Sequence, residues 1–246
     1  MRAVAARTSE EGTEMSSDER QGVVVGVSRK EYVPRWLRMS FWACTGIAVA
    51  VAVRRAYALA RPPSTAPPPL AALDAFFASH AVLTWAHILP ALAFVTLAPL
   101  VVFRTSTGTA WPERLLLPLG GVVGLTAYAM SIDAFGGWVE RSAVLLFNTL
   151  FLFSLVRAHR YLRAGEVLLQ RRWMLRAVAI LLGIATTRPV MGLFFATSRL
   201  THLEPRQFFG WAFWIGFSIN TLAIEWWLHS GERRSYAAAN RARPNV

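Results

Sequence analysis

The stretch from Arg157 to Pro189, RAHRYLRAGEVLLQRRWMLRAVAILLGIATTRP, decides the fold of this chain. It begins as a short basic connector and continues as an apolar segment long enough to cross a bilayer as a helix. Cytoplasmic loops of membrane proteins are rich in arginine and lysine. We therefore predict that the inner membrane boundary is held by Arg157, Arg160, Arg163, Arg171, Arg172, Trp173 and Arg176.

The composition of the whole chain agrees with a membrane protein. Of its 246 residues, 54% are hydrophobic and 16% are charged, whereas soluble domains carry about 25% charged residues. The apolar residues come in blocks of roughly 20 without alternating polarity, which indicates spanning helices rather than a closed barrel. The sequence therefore predicts an all-α fold, a bundle of about six transmembrane helices.

The predicted spans follow the apolar blocks: Arg38–Leu59, Ser79–Phe103, Leu115–Phe135, Arg141–Val156, Trp173–Thr197 and Phe208–Leu228. Residues 1–35 are polar and are predicted to be disordered. Residues 36–229 form the bundle, and residues 230–246 form a basic tail. After the first span, the proline-rich residues 61–69 predict an extended loop, which a short helix at Leu70–Ala78 follows.

An even number of spans places both termini on one side of the membrane. The basic residues outside the spans concentrate on the side of the membrane that holds the N-terminus, so both termini are predicted to be cytoplasmic. The expected location is a bacterial cytoplasmic (inner) membrane, with the lipid bilayer and its anionic headgroups as partners at the cytoplasmic face. The net charge of +12 is attributed to these flanking residues. No nucleic-acid partner is expected, because no nucleic-acid-binding module is recognisable.

Arg188 is the residue that is most costly to place in a membrane. It lies about 21 Å along its helix from Met174, inside a hydrocarbon core roughly 30 Å thick. An unpaired arginine there costs several kcal/mol, so Arg188 is expected to face the bundle and to pair with Asp133 of the third span. Such a pair either fixes the helix register or belongs to a substrate or proton path. The structural interpretation is preferred.

Histidines raise the question of a cofactor, because membrane histidines often ligate haem or relay protons. His80 and His87 are seven residues apart and share one helix face. A two-haem bundle needs histidines at matched depths on different helices, which this sequence does not offer. A haem or a quinone held through His87 stays open as an alternative, and otherwise no cofactor and no metal site are predicted.

Two further patterns concern helix contacts. Glu225 and His229 are four residues apart in the sixth span and are expected to interact, with arginines of the preceding connector nearby. A surface ion pair is the preferred interpretation. The spacings Gly120-x-x-x-Gly124 and Ala179-x-x-x-Gly183 predict places where helices approach closely.

Three segments match a family. They are Ala86-His87-Ile88, Phe135-Gly136-Gly137, and the series from Arg157-x-x-Arg160 through Arg172-Trp173-Met174-Leu175-Arg176 to Thr187-Arg188. Through them, about residues 80–190 resemble the uncharacterised bacterial membrane family known as domain of unknown function 2306. Where the family usually shows histidines, this chain has Glu113-Arg114 and Gln170. The resemblance implies architecture and a membrane location, and no activity.

The sequence shows no nucleophile–base pair, phosphate loop or metal motif, so it favours a protein that is not an enzyme. The predicted function is a transporter-like or accessory membrane bundle. The alternative is a membrane redox protein that binds haem or quinone through His87.

Overall fold

A computed structural model describes residues 34–61, 68–103 and 111–241 of the chain. Within these ranges the chain forms seven α-helices and one short 3-10 helix, and it has no strand. The helices are α1 (Arg35–Ala60), α2 (Pro68–Ser79), α3 (Ala81–Val102), α4 (Trp111–Met130), the 3-10 helix Ser131–Asp133, α5 (Gly137–Arg163), α6 (Val167–Thr201) and α7 (Pro205–Arg241). The prediction of an all-α, multi-span bundle is confirmed.

Five of the described helices are long and apolar enough to cross a membrane, namely α1, α3, α4, α5 and α6. The sixth predicted span, Phe208–Leu228, lies within α7. Its tryptophans, glycines and Asn220 lower the mean hydropathy, so α7 is not among the five. The sixth crossing and the cytoplasmic placement of the termini stay predictions.

Several helices differ in length from the predicted spans. α1 continues through Arg54 and Arg55 to Ala60, and the short helix after the loop extends to Ser79. α6 has 35 residues, which at about 1.5 Å per residue makes it about 52 Å long, well beyond a core of roughly 30 Å. Most of residues 1–35 and of the predicted loop 61–69 lies outside the described residues, but residues 68 and 69 belong to α2. The predicted tail 230–246 is helical as far as Arg241, because α7 continues through it, and its last residues lie outside the described part of the chain.

The helix that contains the opening stretch is the centre of the bundle. α6 packs against α1, α3, α5 and α7, and its contact with α7 is the most extensive between any two described helices. Small residues make this contact close. A Cβ atom on Gly183 would lie 2.6 Å from Cδ1 of Phe217, and one on Gly216 would lie 2.7 Å from the backbone nitrogen of Thr187.

The predicted close approach at Gly183 is therefore confirmed. The same holds for the other small-residue pair, on α4. A Cβ atom on Gly120 would come within 2.3 Å of Leu155, and one on Gly124 within 2.5 Å of Leu152, both on α5. Glycine lets α4 and α5 approach closely here, because any side chain at Gly120 or Gly124 would displace the leucine that faces it.

Glycine turns close the bundle at both ends. Between α5 and α6, Gly165 has φ 76°, and the backbone N–H of Glu166 donates to the carbonyl of Tyr161 at 3.0 Å. Before α5, Gly137 has φ 65°. We name the end that carries the first turn the Gly165 end. The opposite end, which carries α2 and Gly137, is the Asp74 end.

Candidate functional site

A cavity of about 240 Å³ lies inside the bundle, and each of the seven described helices contributes to its wall. Most of the wall is aliphatic or aromatic, for example Ile88, Val95, Phe147, Phe151 and Phe217. The volume is close to the lower limit of about 300 Å³ for ligand pockets, and a mainly apolar lining with few polar groups is typical of them. The polar side chains in the wall are Arg55, Thr84, His87, Ser131, Glu140, Asn148 and Arg188.

The charged members of the wall gather toward the Asp74 end. Arg55 lies in the second-to-last turn of α1, and Glu140 lies in the first turn of α5. Arg188 is attracted by Glu140 and repelled by Arg54, and Arg55 in turn is repelled by Arg188. These four side chains therefore share one electrostatic environment, which the sequence did not reveal beyond Arg188.

Asp74 on α2 is the partner of the two consecutive arginines of α1. Arg54 donates to both carboxylate oxygens, at 3.0 and 2.8 Å, and Arg55 donates to Oδ1 at 2.5 Å. The guanidinium of Arg55 also lies 4.0 Å from the centre of the Phe77 ring. Sequence reasoning missed Asp74. The sequence feature that could have identified it is that Asp74 is the one acidic residue in the apolar segment Leu70–Ser79.

Arg188 lies against the cavity without an ion pair. Its Nη1 donates to the sulfur of Met191 at 3.7 Å, and its Nε is buried and has no hydrogen-bond partner. Among the described residues, no carboxylate forms a salt bridge with it. An arginine at the centre of a membrane helix costs about 3 kcal/mol on insertion scales. This side chain is therefore held in place at a cost.

The predicted pairing of Arg188 with Asp133 is wrong. Asp133 is on the 3-10 helix after α4, with its side chain 67% exposed, and its Oδ2 lies 3.6 Å from Nε2 of His80. Counting residues along each helix matched the depths of the two groups but not the directions that they face. Asp133 faces outward with His80 at the Asp74 end, so both predicted candidates lie outside the cavity wall.

Glu140 and Asn148 hold α5 to its neighbours. The carboxylate of Glu140 accepts a hydrogen bond from the backbone N–H of Gly136 at 2.7 Å, and Glu140 as a whole is only 9% exposed. The side-chain amide of Asn148 donates to the carbonyl of Gly124 at 2.9 Å. Sequence reasoning missed both residues, because an acidic residue at a helix start is common and carries no signal of burial.

His87 lines the cavity and contacts Thr126. Its Nδ1 lies 2.9 Å from the hydroxyl of Thr126, and that hydroxyl donates to the carbonyl of Val122 at 2.7 Å. With the single hydrogen of that hydroxyl on the Val122 carbonyl, the hydroxyl oxygen is an acceptor for an N–H at Nδ1 of His87. In that tautomer the Nε2 atom of His87 keeps a lone pair that can accept a hydrogen bond or bind a metal.

The structure brings Glu225 and His229 together with Arg176 at the Gly165 end. Arg176 Nε and Nη2 donate to the two carboxylate oxygens of Glu225 at 2.6 and 3.0 Å. Nδ1 of His229 lies 2.8 Å from the backbone carbonyl of Glu225 and 3.7 Å from its carboxylate. The ion pair, with its two hydrogen bonds, joins α6 to α7, and His229 lies at the edge of this cluster.

The basic residues of the opening stretch surround this cluster. The guanidinium groups of Arg157 and Arg176 lie over the ring of Trp173, 5.1 and 4.6 Å from its centre. Two more donate to backbone carbonyls of other helices: Arg171 to Val102, the last residue of α3, at 3.2 Å, and Arg172 to Leu228 of α7 at 3.3 Å. Arg160 and Arg163 are exposed. Several of these arginines thus also hold helices together, which a topology anchor alone does not require.

Among the described residues, no group of three or more His, Cys, Asp or Glu is placed to hold a metal ion. No protein-family model, curated protein or solved structure matches the chain. Membership of the family that the sequence resembles therefore stays a prediction.

Proposed function

We propose that this protein is a non-enzymatic, transporter-like or accessory membrane bundle that takes up a small molecule in its central cavity. The observation that carries the proposal is the cavity wall. All seven described helices contribute to it, it is mainly apolar, and its few polar groups converge toward one end. Wall residues that come from every helix allow a bound molecule to affect the packing of the whole bundle.

The proposed setting is a bacterial cytoplasmic membrane with six crossings and both termini in the cytoplasm. In that orientation the Gly165 end faces the cytoplasm, and its arginines contact anionic lipid headgroups. The resemblance to the family known as domain of unknown function 2306 supports this setting. The Asp74 end of the cavity is then the external one.

A pair of alanines on α1 gives a sharp test of the cavity. Ala52 lines the cavity, whereas Ala50 is exposed on the outside of the same helix. Apolar cavities smaller than this one bind benzene, so benzene is a suitable neutral probe. In nanodiscs, benzene is expected to raise the thermal unfolding temperature of the native protein and of Ala50→Phe, and not that of Ala52→Phe. Equal shifts in all three proteins would rule the cavity out as a binding site.

A second candidate is a membrane redox protein that uses His87. The position of His87 in the cavity wall favours it, because the tautomer with the proton on Nδ1 has a lone pair on Nε2, which is what a haem iron or a quinol hydroxyl needs. The absorbance spectrum of the purified protein tests the haem version. A Soret band that disappears in His87→Ala supports it, and a spectrum without that band excludes it. A quinone in a solvent extract, lost in His87→Ala, is the corresponding result for the quinone version.

A further inference from the structure

The charged groups at the Asp74 end of the cavity do not balance. Three guanidinium groups, those of Arg54, Arg55 and Arg188, share this environment with two carboxylates, those of Asp74 and Glu140. With both carboxylates ionised, one positive charge is left over. Protonation of Glu140 would leave two. Arg54 is 44% exposed, whereas a charge buried in the cavity wall has no water to solvate it and calls for an anion.

Arg188 is the one of these three guanidinium groups that has no carboxylate at hydrogen-bond distance. Arg54 and Arg55 both bind Asp74 at hydrogen-bond distance, and Arg55 also has the face of Phe77 beside it. Arg188 has a methionine sulfur as its partner and a buried Nε without one. Glu140 attracts it from beyond salt-bridge distance, and the carboxylate of Glu140 is already used by Gly136.

We infer that the cavity binds a small monoanionic amphiphile, with a carboxylate or similar singly charged head at Arg188 and an apolar body among the aromatic side chains. This inference rests on the proposed function and names its ligand class. A guanidinium donates two parallel hydrogen bonds to a carboxylate, which no neutral head can match. The wall beyond Arg188 offers Phe147, Phe151 and Phe217 to an aromatic or aliphatic body.

The same charge balance limits the ligand to one negative charge. A dianion would bring a second negative charge toward Glu140, and among the described residues the other guanidinium in the cavity wall, that of Arg55, already donates to Asp74. The cavity of about 240 Å³ also excludes a large molecule. A monoanion reaches it either from the aqueous phase, as a free acid, or from the bilayer, as the head of a singly charged lipid.

Hydrocinnamate and its amide, hydrocinnamamide, are suitable probes, because they have the same apolar body and differ in the charge of the head. Binding is measured by calorimetry on the full chain in phosphatidylcholine nanodiscs, with empty nanodiscs subtracted. The native protein is expected to bind hydrocinnamate about tenfold or more tightly than the amide, the ratio that one charge-assisted interaction supplies. Phenylsuccinate, with two carboxylates, is expected to bind more weakly than hydrocinnamate.

Two variants separate the charge of Arg188 from other effects. Arg188→Gln is expected to bind hydrocinnamate about tenfold more weakly than the native protein and to bind the amide equally well. Arg188→Lys is expected to keep most of the affinity for hydrocinnamate. Arg141→Gln is the matched control: Arg141 also has a buried Nε without a partner, but it stacks on Trp138 and does not line the cavity. Stabilisation of Arg188→Gln by benzene shows that this variant keeps its fold.

The outcomes distinguish the two proposals. Equal binding of hydrocinnamate and its amide, or an Arg188→Gln variant that binds like the native protein, overturns the inference while benzene binding leaves the cavity proposal standing. Loss of benzene binding overturns both. Phosphatidylglycerol added to the nanodiscs identifies the source of the anion. If phosphatidylglycerol competes with hydrocinnamate, the natural ligand is a lipid. If hydrocinnamate binds as tightly as before, the natural ligand is a free acid. Either result supports a monoanion site.

Discussion

The guanidinium of Arg55 and the carboxylate of Asp74 meet at 2.5 Å, with both side chains about 10% exposed, and the pair ties α1 to α2. Arg54 holds the second carboxylate oxygen at 2.8 Å. One carboxylate therefore serves two guanidinium groups, a geometry that only a fixed helix crossing allows. It explains how α1 stays helical to Ala60 through two consecutive arginines.

The first prediction follows from this arrangement. Asp74→Asn removes the charge that both arginines share and leaves buried Arg55 uncompensated. We expect a loss of about 3–5 kcal/mol in the free energy of unfolding, the range for breaking a buried pair on one side. Reversible denaturation in mixed micelles measures it. The matched control is Asp133→Asn, whose carboxylate is 67% exposed and should change stability by no more than about 0.5 kcal/mol. Equal effects of the two changes would contradict the geometry.

The same residues show how far a sequence can identify a polar site. Arginines inside apolar segments are visible as costly residues, so Arg188 stood out. Their partners are not visible, because partner choice depends on which helices are adjacent and which way each side chain points. Asp133 matched Arg188 in depth and faces outward. Asp74 sits on a helix too short to span a membrane, where hydropathy gives no reason to look for the partner of a buried cation.

A second prediction concerns the cost of Arg188. If its charge has no partner in the ligand-free protein, replacing it by an apolar side chain of similar length should stabilise the bundle. Arg188→Met in extracted, ligand-free protein is expected to raise the free energy of unfolding by about 1–3 kcal/mol. Arg141→Met, outside the cavity, serves for comparison and should not gain stability. A clear loss of stability in Arg188→Met would mean that the native fold uses the charge.

The fold was easier to predict than the site. Blocks of apolar residues identified the spanning segments, and the glycine spacings identified close helix contacts. Helix lengths were harder, because hydropathy detects the part of a helix inside lipid and not the turns beyond it. α5 continues through the polar residues up to Arg163, since the chain leaves the helix only where Gly165 adopts a positive φ. α7 is ambiguous for a related reason: Asn220, which binds α6 through Thr186 and Ala179, and the tryptophans of α7 lower its hydropathy.

A third prediction addresses the ion pair between α6 and α7. Arg176 binds Glu225 at two points, but Glu225 is 35% exposed, so solvent weakens the pair. A double-mutant cycle with Arg176→Gln and Glu225→Gln is expected to give a coupling energy of about 1 kcal/mol in unfolding. The cycle of His229→Gln with Glu225→Gln should give almost none, because His229 is 64% exposed and 3.7 Å away. Similar coupling in both cycles would show that the two-point geometry has no special effect.

The last prediction tests whether the contact between α6 and α7 positions Arg188. A Cβ atom on Gly216 would lie 2.7 Å from the backbone nitrogen and 2.9 Å from the Cα atom of Thr187, the residue just before Arg188. Backbone cannot move aside as a side chain can, so the helices must separate. We expect Gly216→Ala to lose about 1–3 kcal/mol in the free energy of unfolding.

Because the displaced segment of α6 carries Arg188, the affinity of Gly216→Ala for hydrocinnamate should fall together with its stability. Gly121→Ala is the control, since a Cβ atom there would meet nothing within 4 Å. That change should add about 0.5–1 kcal/mol through helix propensity and leave binding unchanged. A Gly216→Ala variant that unfolds and binds like the native protein would show that the crossing of α6 and α7 does not set the position of Arg188.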